Sequence, residues 1–323
     1  MNIKPIIIVS GDPYGTFYEI FFKIKKKNYF KKPIILIGSK KIILEQMSKL
    51  NYDFKFNFLN VNKLDLNQLK KFDNKKINLI NVHLSSLRDP IKSVKLIQSY
   101  IKNCFNVGLN IISKYKCAGL INGPVNKKRF LNYKYPGVTE YLANKLKIKK
   151  YAMLIYSKDL SVCPITTHLP LKNVSRNITK KKIIEKTKLI NFFYKTKFKK
   201  KPKIAITGLN PHCESPLKNN EEIKFIIPAI KTLKKSGLFV KGPYSADTLF
   251  MKNQIKNFDV IIGMYHDQVL TPIKALFDFD AINITLGLPF IRISPDHGPN
   301  EKMFGKNLSN PNSLFQAIKF LDK

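Results

Sequence analysis

The chain of 323 residues contains no tryptophan, four cysteines, and only 21 acidic residues against 58 basic ones. Arginine is nearly missing: Arg88, Arg129, Arg176 and Arg292 are the whole set, and the other 54 basic residues are lysines. Nucleic-acid surfaces favour arginine for bidentate contacts to phosphate and guanine. The net charge of +37 therefore reads as the Lys-, Ile- and Asn-rich composition of an AT-rich genome. The runs at 23–32 and 195–203 read as solvated helix ends and loops. Nucleic-acid binding is kept only as a remote alternative, although such a field attracts small anionic substrates. Cys104, Cys117, Cys163 and Cys213 lack C-x-x-C spacing and read as free thiols in or near the core. No apolar run approaches the roughly 18 residues of a membrane helix, so no membrane partner is expected. The opening MNIKPIIIVSGDP is too short in its apolar part for a signal segment. It reads as a first strand, and the expected location is cytoplasmic. No G-x-G-x-x-G follows that strand, and GDPYG (11–15) lacks the spacing, so an ordinary dinucleotide fingerprint is not supported.

Short β-branched apolar runs alternate with helix-like stretches along most of the chain. Strands are expected at 5–9, 33–37, 77–82, 118–122, 151–156, 160–166, 203–207, 258–264 and 281–286. Helices are expected at 17–27, 40–50, 91–115, 139–147, 179–198, 221–235 and 311–321. Thr179 is an expected N-cap, as is Asn219 or Asn220 for the following helix. Near-continuous apolar strands separated by helices predict an α/β fold with a largely parallel sheet covered on both faces. With no linker and no repeat, residues 1–323 read as one unit in which any second subdomain is interwoven with the first.

Ligands of open α/β sheets bind beyond the carboxyl ends of strands. Three of the five histidines follow such ends: His168 in ITTHLP, His212 in TGLNPH and His266 in GMYHDQ. Parallel connections would bring them to one sheet edge, where three imidazoles can hold a catalytic metal and leave a position open. His83 also follows a strand, so the pattern alone leaves a packing role equally open. His297 and Asp296, in SPDHGP, read as a ligand contact or a turn. Asp247 in SADTLF, Asp267 beside His266, Lys274 in TPIKA, Asn283 in AINITLG and Arg292 in FIRIS are further polar candidates. Arg292 lies in an apolar stretch, where a buried charge needs a partner, and an anionic ligand is the expected one. The Gly123-Pro124 turn is a weak phosphate candidate.

Taken together, GDPYG, INGPVNK (121–127), PGVTEYLA (136–143), TTHLPL (166–171), GLNPH (208–212), GPYSADTLF (242–250), MYHDQ (264–268) and NITLGLPFIRISPDHG (283–298) resemble the 4-hydroxythreonine-4-phosphate dehydrogenase family of vitamin B6 biosynthesis. The resemblance implies an isocitrate/isopropylmalate dehydrogenase-like fold, a three-layer α/β/α arrangement of two interwoven subdomains. It also implies a homodimer with the active site at the interface. By motif, His168, His212 and His266 fall on the family's metal ligands, one of them supplied by the partner. Val138, Thr139, Lys274, Asn283 and Arg292 fall on substrate-binding positions.

The implied cofactors are NAD or NADP and a divalent metal, zinc foremost, with cobalt or magnesium as alternatives. Cofactor-binding residues are not identified. The chain departs from the family in carrying Val138 where a histidine is usual. It also has Thr16-Phe17-Tyr18-Glu19 after Gly15, and a glycine-free CESPLKNNEE after His212. The expected reaction is oxidation of 4-phosphohydroxy-L-threonine followed by decarboxylation. Asp247 and Asp267 are candidates for the base or for orienting the histidines. Val138 keeps a second substrate open, a related four-carbon phosphorylated acid such as threonate or erythronate 4-phosphate.

Overall fold

The computed structural model describes residues 4–27, 30–64, 74–84, 93–214, 219–278, 280–295 and 298–323. Arg88, Asp296, His297 and the centre of the loop after His212 lie outside them. Among the described residues the strands are β1 Ile6–Val9, β2 Ile34–Gly38, β3 Phe56–Phe58, β4 Ile77–Asn81, β5 Gly119–Asn122 and β6 Ala152–Tyr156, then β7 Ser161–Pro164, β8 Ile204–Thr207, β9 Val240–Tyr244, β10 Val260–Gly263, β11 Ile282–Leu286 and β12 Arg292–Pro295. The α-helices are α1 Phe17–Lys27, α2 Lys40–Lys49, α3 Val94–Lys114, α4 Lys127–Leu131, α5 Val138–Lys145 and α6 Val174–Asn177, then α7 Lys180–Phe198, α8 Ile227–Lys235, α9 Ala246–Leu249, α10 Lys252–Ile255, α11 His266–Phe277 and α12 Asn312–Asp322.

The chain divides into two units. One combines residues 1–138 with 290–323, and the other is 139–289. In the first unit the strand order is β3-β4-β2-β1-β5-β12, and every pair is parallel. All four side chains of β1, IIIV, are fully buried. Successive residues of a strand point to opposite faces, so both faces of the sheet are covered. α3 packs on β1, β2 and β5, and α12 on β1, β5 and β12.

Backbone contact locks the loops that follow β1 and β5. The Asp12 N–H donates to the Pro124 carbonyl at 2.9 Å. A Cβ on Gly123 would stand 2.2 Å from the Ser10 carbonyl oxygen. The Gly-Pro turn, a phosphate candidate in the sequence, is thus a close approach between two strand ends that only glycine permits.

In the second unit the order is β11-β6-β7-β10-β8-β9. β11, β6 and β7 pair antiparallel, while β7-β10, β10-β8 and β8-β9 are parallel. Ile155, Val162, Ala205, Ile261, Val269 and Ile273 share one core cluster. The Thr179 hydroxyl caps α7 by accepting from the Lys182 N–H at 3.2 Å. Asn220 Oδ1 accepts from the Ile223 N–H at 3.0 Å, at a π-helical turn, Glu222–Ile226, that leads into α8.

The sequence reading lacks eight of these elements: the short helices α4, α6, α9 and α10, and β3, β9, β12 and α11. β3 has three residues, only partly buried, and β9 carries Gly242 and Pro243 at the sheet edge, where proline is tolerated. β12 begins with a charge. α11 contains Pro272, which in sequence reads as a breaker. It forms because Val269, Leu270 and Ile273 bury against the core.

Candidate active site

β7, β10 and β8 lie side by side and parallel, so their carboxyl ends share one edge of the sheet. His168 follows β7, His266 opens α11 just after β10, and His212 follows β8. His168 and His212 both have left-handed backbones, with φ of 50° and 55°, and Cys213 follows at 60°. Such conformations cost about 1–3 kcal/mol in a non-glycine residue and concentrate at functional sites.

The rings of His168 and His266 approach to 5.8 Å between centroids. Two imidazoles on one tetrahedral ion, with metal–nitrogen bonds of roughly 2 Å, place their centroids roughly 5 Å apart. His266 Nδ1 lies 2.7 Å from Asp267 Oδ1. A carboxylate on one ring nitrogen fixes the tautomer and leaves Nε2 for a metal. His168 Nδ1 lies 3.9 Å from Glu140 Oε1, and the Thr167 hydroxyl donates to the same oxygen at 3.4 Å. This donor set fits a divalent ion. Among the described residues, no three His, Cys, Asp or Glu side chains gather closely enough to hold an ion unaided. His212, which is exposed, is not brought into the pair.

The structure puts Asp247 in solvent at the start of α9, where Ser245 Oγ donates to its Oδ1 at 2.5 Å. That hydrogen bond is the main cause of a carboxyl pKa held below its ordinary value, and His212 adds a smaller attraction. Thr139 is buried near the start of α5, its Oγ1 3.4 Å from that of Thr285. Asn283 sits two residues before Thr285 on β11, and its Oδ1 is buried with no hydrogen-bond partner among the described residues. Lys274 is exposed in the last turn of α11.

Val138, at the start of α5, is apolar and only 9 % exposed. In the first unit, Arg292 is 1 % exposed at the start of β12 and donates from Nε to Asn122 Oδ1 at 2.8 Å. An amide of the protein itself therefore meets part of the need for a partner that the sequence assigned to a ligand. His83 is exposed after β4, in that same unit.

Residues 30–321 match the model of the family described as pyridoxal phosphate biosynthetic protein PdxA. The chain belongs to the PdxA family. It is 39% identical over 323 residues to the 4-hydroxythreonine-4-phosphate dehydrogenase of Sulfurihydrogenibium sp. (strain YO3AOP1), covering 97% of this chain and 96% of that one. Its fold superposes on the solved 4-hydroxythreonine-4-phosphate dehydrogenase of Klebsiella pneumoniae with a TM-score of 0.84 at 28% identity, covering 98% and 97% of the two chains. Isocitrate dehydrogenase from Methylococcus capsulatus shares the fold, with a TM-score of 0.51 at 11% identity over 99% and 85% of the chains.

Within this PdxA-family chain the sequence reading passed over several groups that brace the histidines. Glu140 closes the GVTE block, yet only its position beside His168 gives it a role. Lys186 on α7 donates from Nζ to the Pro164 carbonyl at 3.1 Å. Burial pushes its pKa down, against the pull of Cys163 and Glu140. Nothing in the sequence distinguishes it from the other lysines. Glu222 and Gln268 likewise gain their roles only through burial and contact.

Proposed function

We propose that this chain oxidises 4-phosphohydroxy-L-threonine with NAD or NADP and releases CO₂, giving 3-amino-2-oxopropyl phosphate. The observation that carries the reading is the His168–His266 pair, backed by Glu140 and Asp267, in a chain of the PdxA family. His168, His212 and His266 would hold a divalent ion, with one imidazole supplied by a second copy of the chain. Zinc, cobalt and magnesium are the candidate ions. The bound ion would supply Lewis acidity to the alcohol and to the charge left as CO₂ departs, and bound NAD would supply the hydride acceptor.

The chain's own residues do the rest. Asp267 fixes the His266 ring through its hydrogen bond to Nδ1, so that Nε2 is the free nitrogen, and Glu140 places a negative charge 3.9 Å from His168 Nδ1. Asp247 stays ionised at neutral pH, because its neighbours stabilise the charged form. Being ionised it can accept the alcohol proton, and the same lowering makes it a weak base, so the charge on the bound alcohol has to be stabilised by the ion. The unpartnered Asn283 Oδ1 has acceptor capacity to spare, and a substrate ammonium or hydroxyl would use it once the side chain turns to meet the substrate. Lys274 and Arg292 supply cations for the phosphate and carboxylate. The enzyme works as a homodimer in the cytoplasm, on a small anionic phosphorylated substrate.

A related four-carbon acid, threonate or erythronate 4-phosphate, is the second reading. Val138 favours it, because its buried, apolar side chain offers no hydrogen bond where the family usually carries histidine. Turnover of the three phosphorylated acids compared on one preparation separates the readings. Within the first reading, His212→Ala abolishes turnover and leaves the melting temperature nearly unchanged. Near-normal turnover in that folded variant refutes the metal chemistry.

A further inference from the structure

We infer that Glu222 is a positioning residue whose buried carboxylate holds the Gly208–Cys213 loop in the conformation that presents His212. The inference rests on the metal reading proposed above. Glu222 is 1 % exposed. Its Oε1 accepts from the Leu209 N–H at 2.7 Å and from the Asn210 N–H at 2.9 Å. Its Oε2 accepts from Asn210 Nδ2 at 2.8 Å, and the same Nδ2 donates to Glu221 Oε2 at 3.1 Å. Three N–H donors therefore converge on one buried carboxylate, and no lysine or arginine bridges to it among the described residues.

A neutral amide has a single acceptor oxygen and could not take all three donors. A charged acceptor strengthens each bond to roughly twice that of a neutral one. His212, two residues past Asn210, has the left-handed backbone noted above. A strained conformation persists only where its surroundings determine it, and this carboxylate, with three donors from Leu209 and Asn210, is one such determinant in the loop. Glu222 begins a π-helical turn, a feature that often marks functional sites.

The far side of the loop base is tied to the His266 segment. Gln268 donates from Nε2 to the Gly208 carbonyl at 2.9 Å. Its Oε1 accepts from the Thr207 hydroxyl at 2.9 Å and from the Met264 N–H at 2.7 Å. Gly208 has no room for a side chain: an added Cβ would stand 2.8 Å from Cys213 Sγ and 3.0 Å from Glu222 Oε1. The loop is thus clamped between Gln268, which also fixes the start of the His266 turn, and Glu222.

The test uses the full chain with Co²⁺ as the probe, read by its visible absorption, alongside amide hydrogen exchange. Wild type, His212→Ala, Glu222→Ala and Glu222→Gln are compared. Loss of such a supporting contact typically costs 10–100-fold in metal affinity, and about that weakening is expected for Glu222→Ala. Exchange should quicken at Leu209 and Asn210 while the β8 amides keep their protection. Glu222→Gln retains one acceptor oxygen and should fall between alanine and wild type.

Wild-type Co²⁺ affinity in Glu222→Ala, with binding lost in His212→Ala, overturns this inference alone. No Co²⁺ binding by wild type, or binding untouched by His212→Ala, overturns the proposed function and this inference with it. Should the alanine variant not fold, Glu222→Gln decides, and a Co²⁺ affinity equal to wild type overturns the inference.

Discussion

Gly123→Ala is the sharpest test of how the first unit is assembled. The added methyl would stand 2.2 Å from the Ser10 carbonyl oxygen, 2.7 Å from Phe17 Cδ2 and 2.8 Å from the Ser10 carbonyl carbon. Two of these neighbours are backbone atoms of the segment leaving β1, pinned by the Ser10 N–H bond to the Ile37 carbonyl and the Asp12 N–H bond to Pro124. Ordinary contact begins near 3.4 Å, so relief requires moving one strand end by roughly 1 Å.

Overpacking of a rigid core costs about 1–3 kcal/mol and sometimes more. Because the neighbours here are backbone, about 3 kcal/mol is expected. In a unit of this size that lowers the melting temperature by roughly 6–12 °C. Gly237→Ala is the control. Its φ is +75°, with nothing within 4 Å of an added Cβ, so it pays only the left-handed penalty of about 1 kcal/mol.

The same shift should reach Arg292. Asn122, which accepts from Arg292 Nε, also donates from Nδ2 to the Gly123 carbonyl at 3.0 Å. If Arg292 binds substrate as proposed, the KM for the phosphorylated substrate rises in Gly123→Ala and stays unchanged in Gly237→Ala. Thermal melts followed by circular dichroism give the stability term. A Gly123→Ala protein that melts within a degree of wild type refutes the backbone lock.

Two further outcomes follow from the titratable groups. Burial pushes the Cys104 thiol up to about 12 from its ordinary 9, so above pH 9 the unfolded chain loses a proton that the folded chain keeps. Stability from that thiol is whole below pH 9 and is lost as the pH rises towards 12. The advantage of wild type over Cys104→Ala should shrink by roughly 2 kcal/mol between about pH 8 and about pH 10.5. The comparison cancels the common loss of lysine charge, and a gap independent of pH contradicts the assignment. Asp267→Ala removes the carboxylate on His266 Nδ1 and should weaken Zn²⁺ about 10-fold or more in chelator competition. Because Asp267 is exposed, the melting temperature should stay within about a degree or two of wild type, and unchanged affinity rules out the orienting role.

The strands that the sequence reveals are those whose burial on both faces leaves an unbroken β-branched run, such as β1, β2 and β10. β9 and β12 escape because their pairing, not their composition, makes them strands. α11 escapes because Pro272 interrupts a pattern that its burial restores. In the candidate site, the closeness of His168 and His266 is legible because each follows an apolar strand, and strand ends are where α/β proteins bind ligands, whereas His212 stays apart from the pair. Their supports are not legible. Glu222 in NNEE reads as an ordinary helix start, and only the return of the Leu209-Asn210 backbone onto it makes it a brace. Glu140 and Lys186 owe their surroundings to packing around Pro164 and Thr167, residues distant from them in sequence.

NADH formation from 4-phosphohydroxy-L-threonine and NAD⁺, followed by absorbance, decides whether this chain runs the proposed reaction. Purified protein is assayed before chelation, after it, and after metal add-back. Activity should disappear on chelation and return with Zn²⁺, Co²⁺ or Mg²⁺. Full activity in the chelated enzyme contradicts the three-histidine chemistry, and no activity in the metal-loaded enzyme contradicts the substrate.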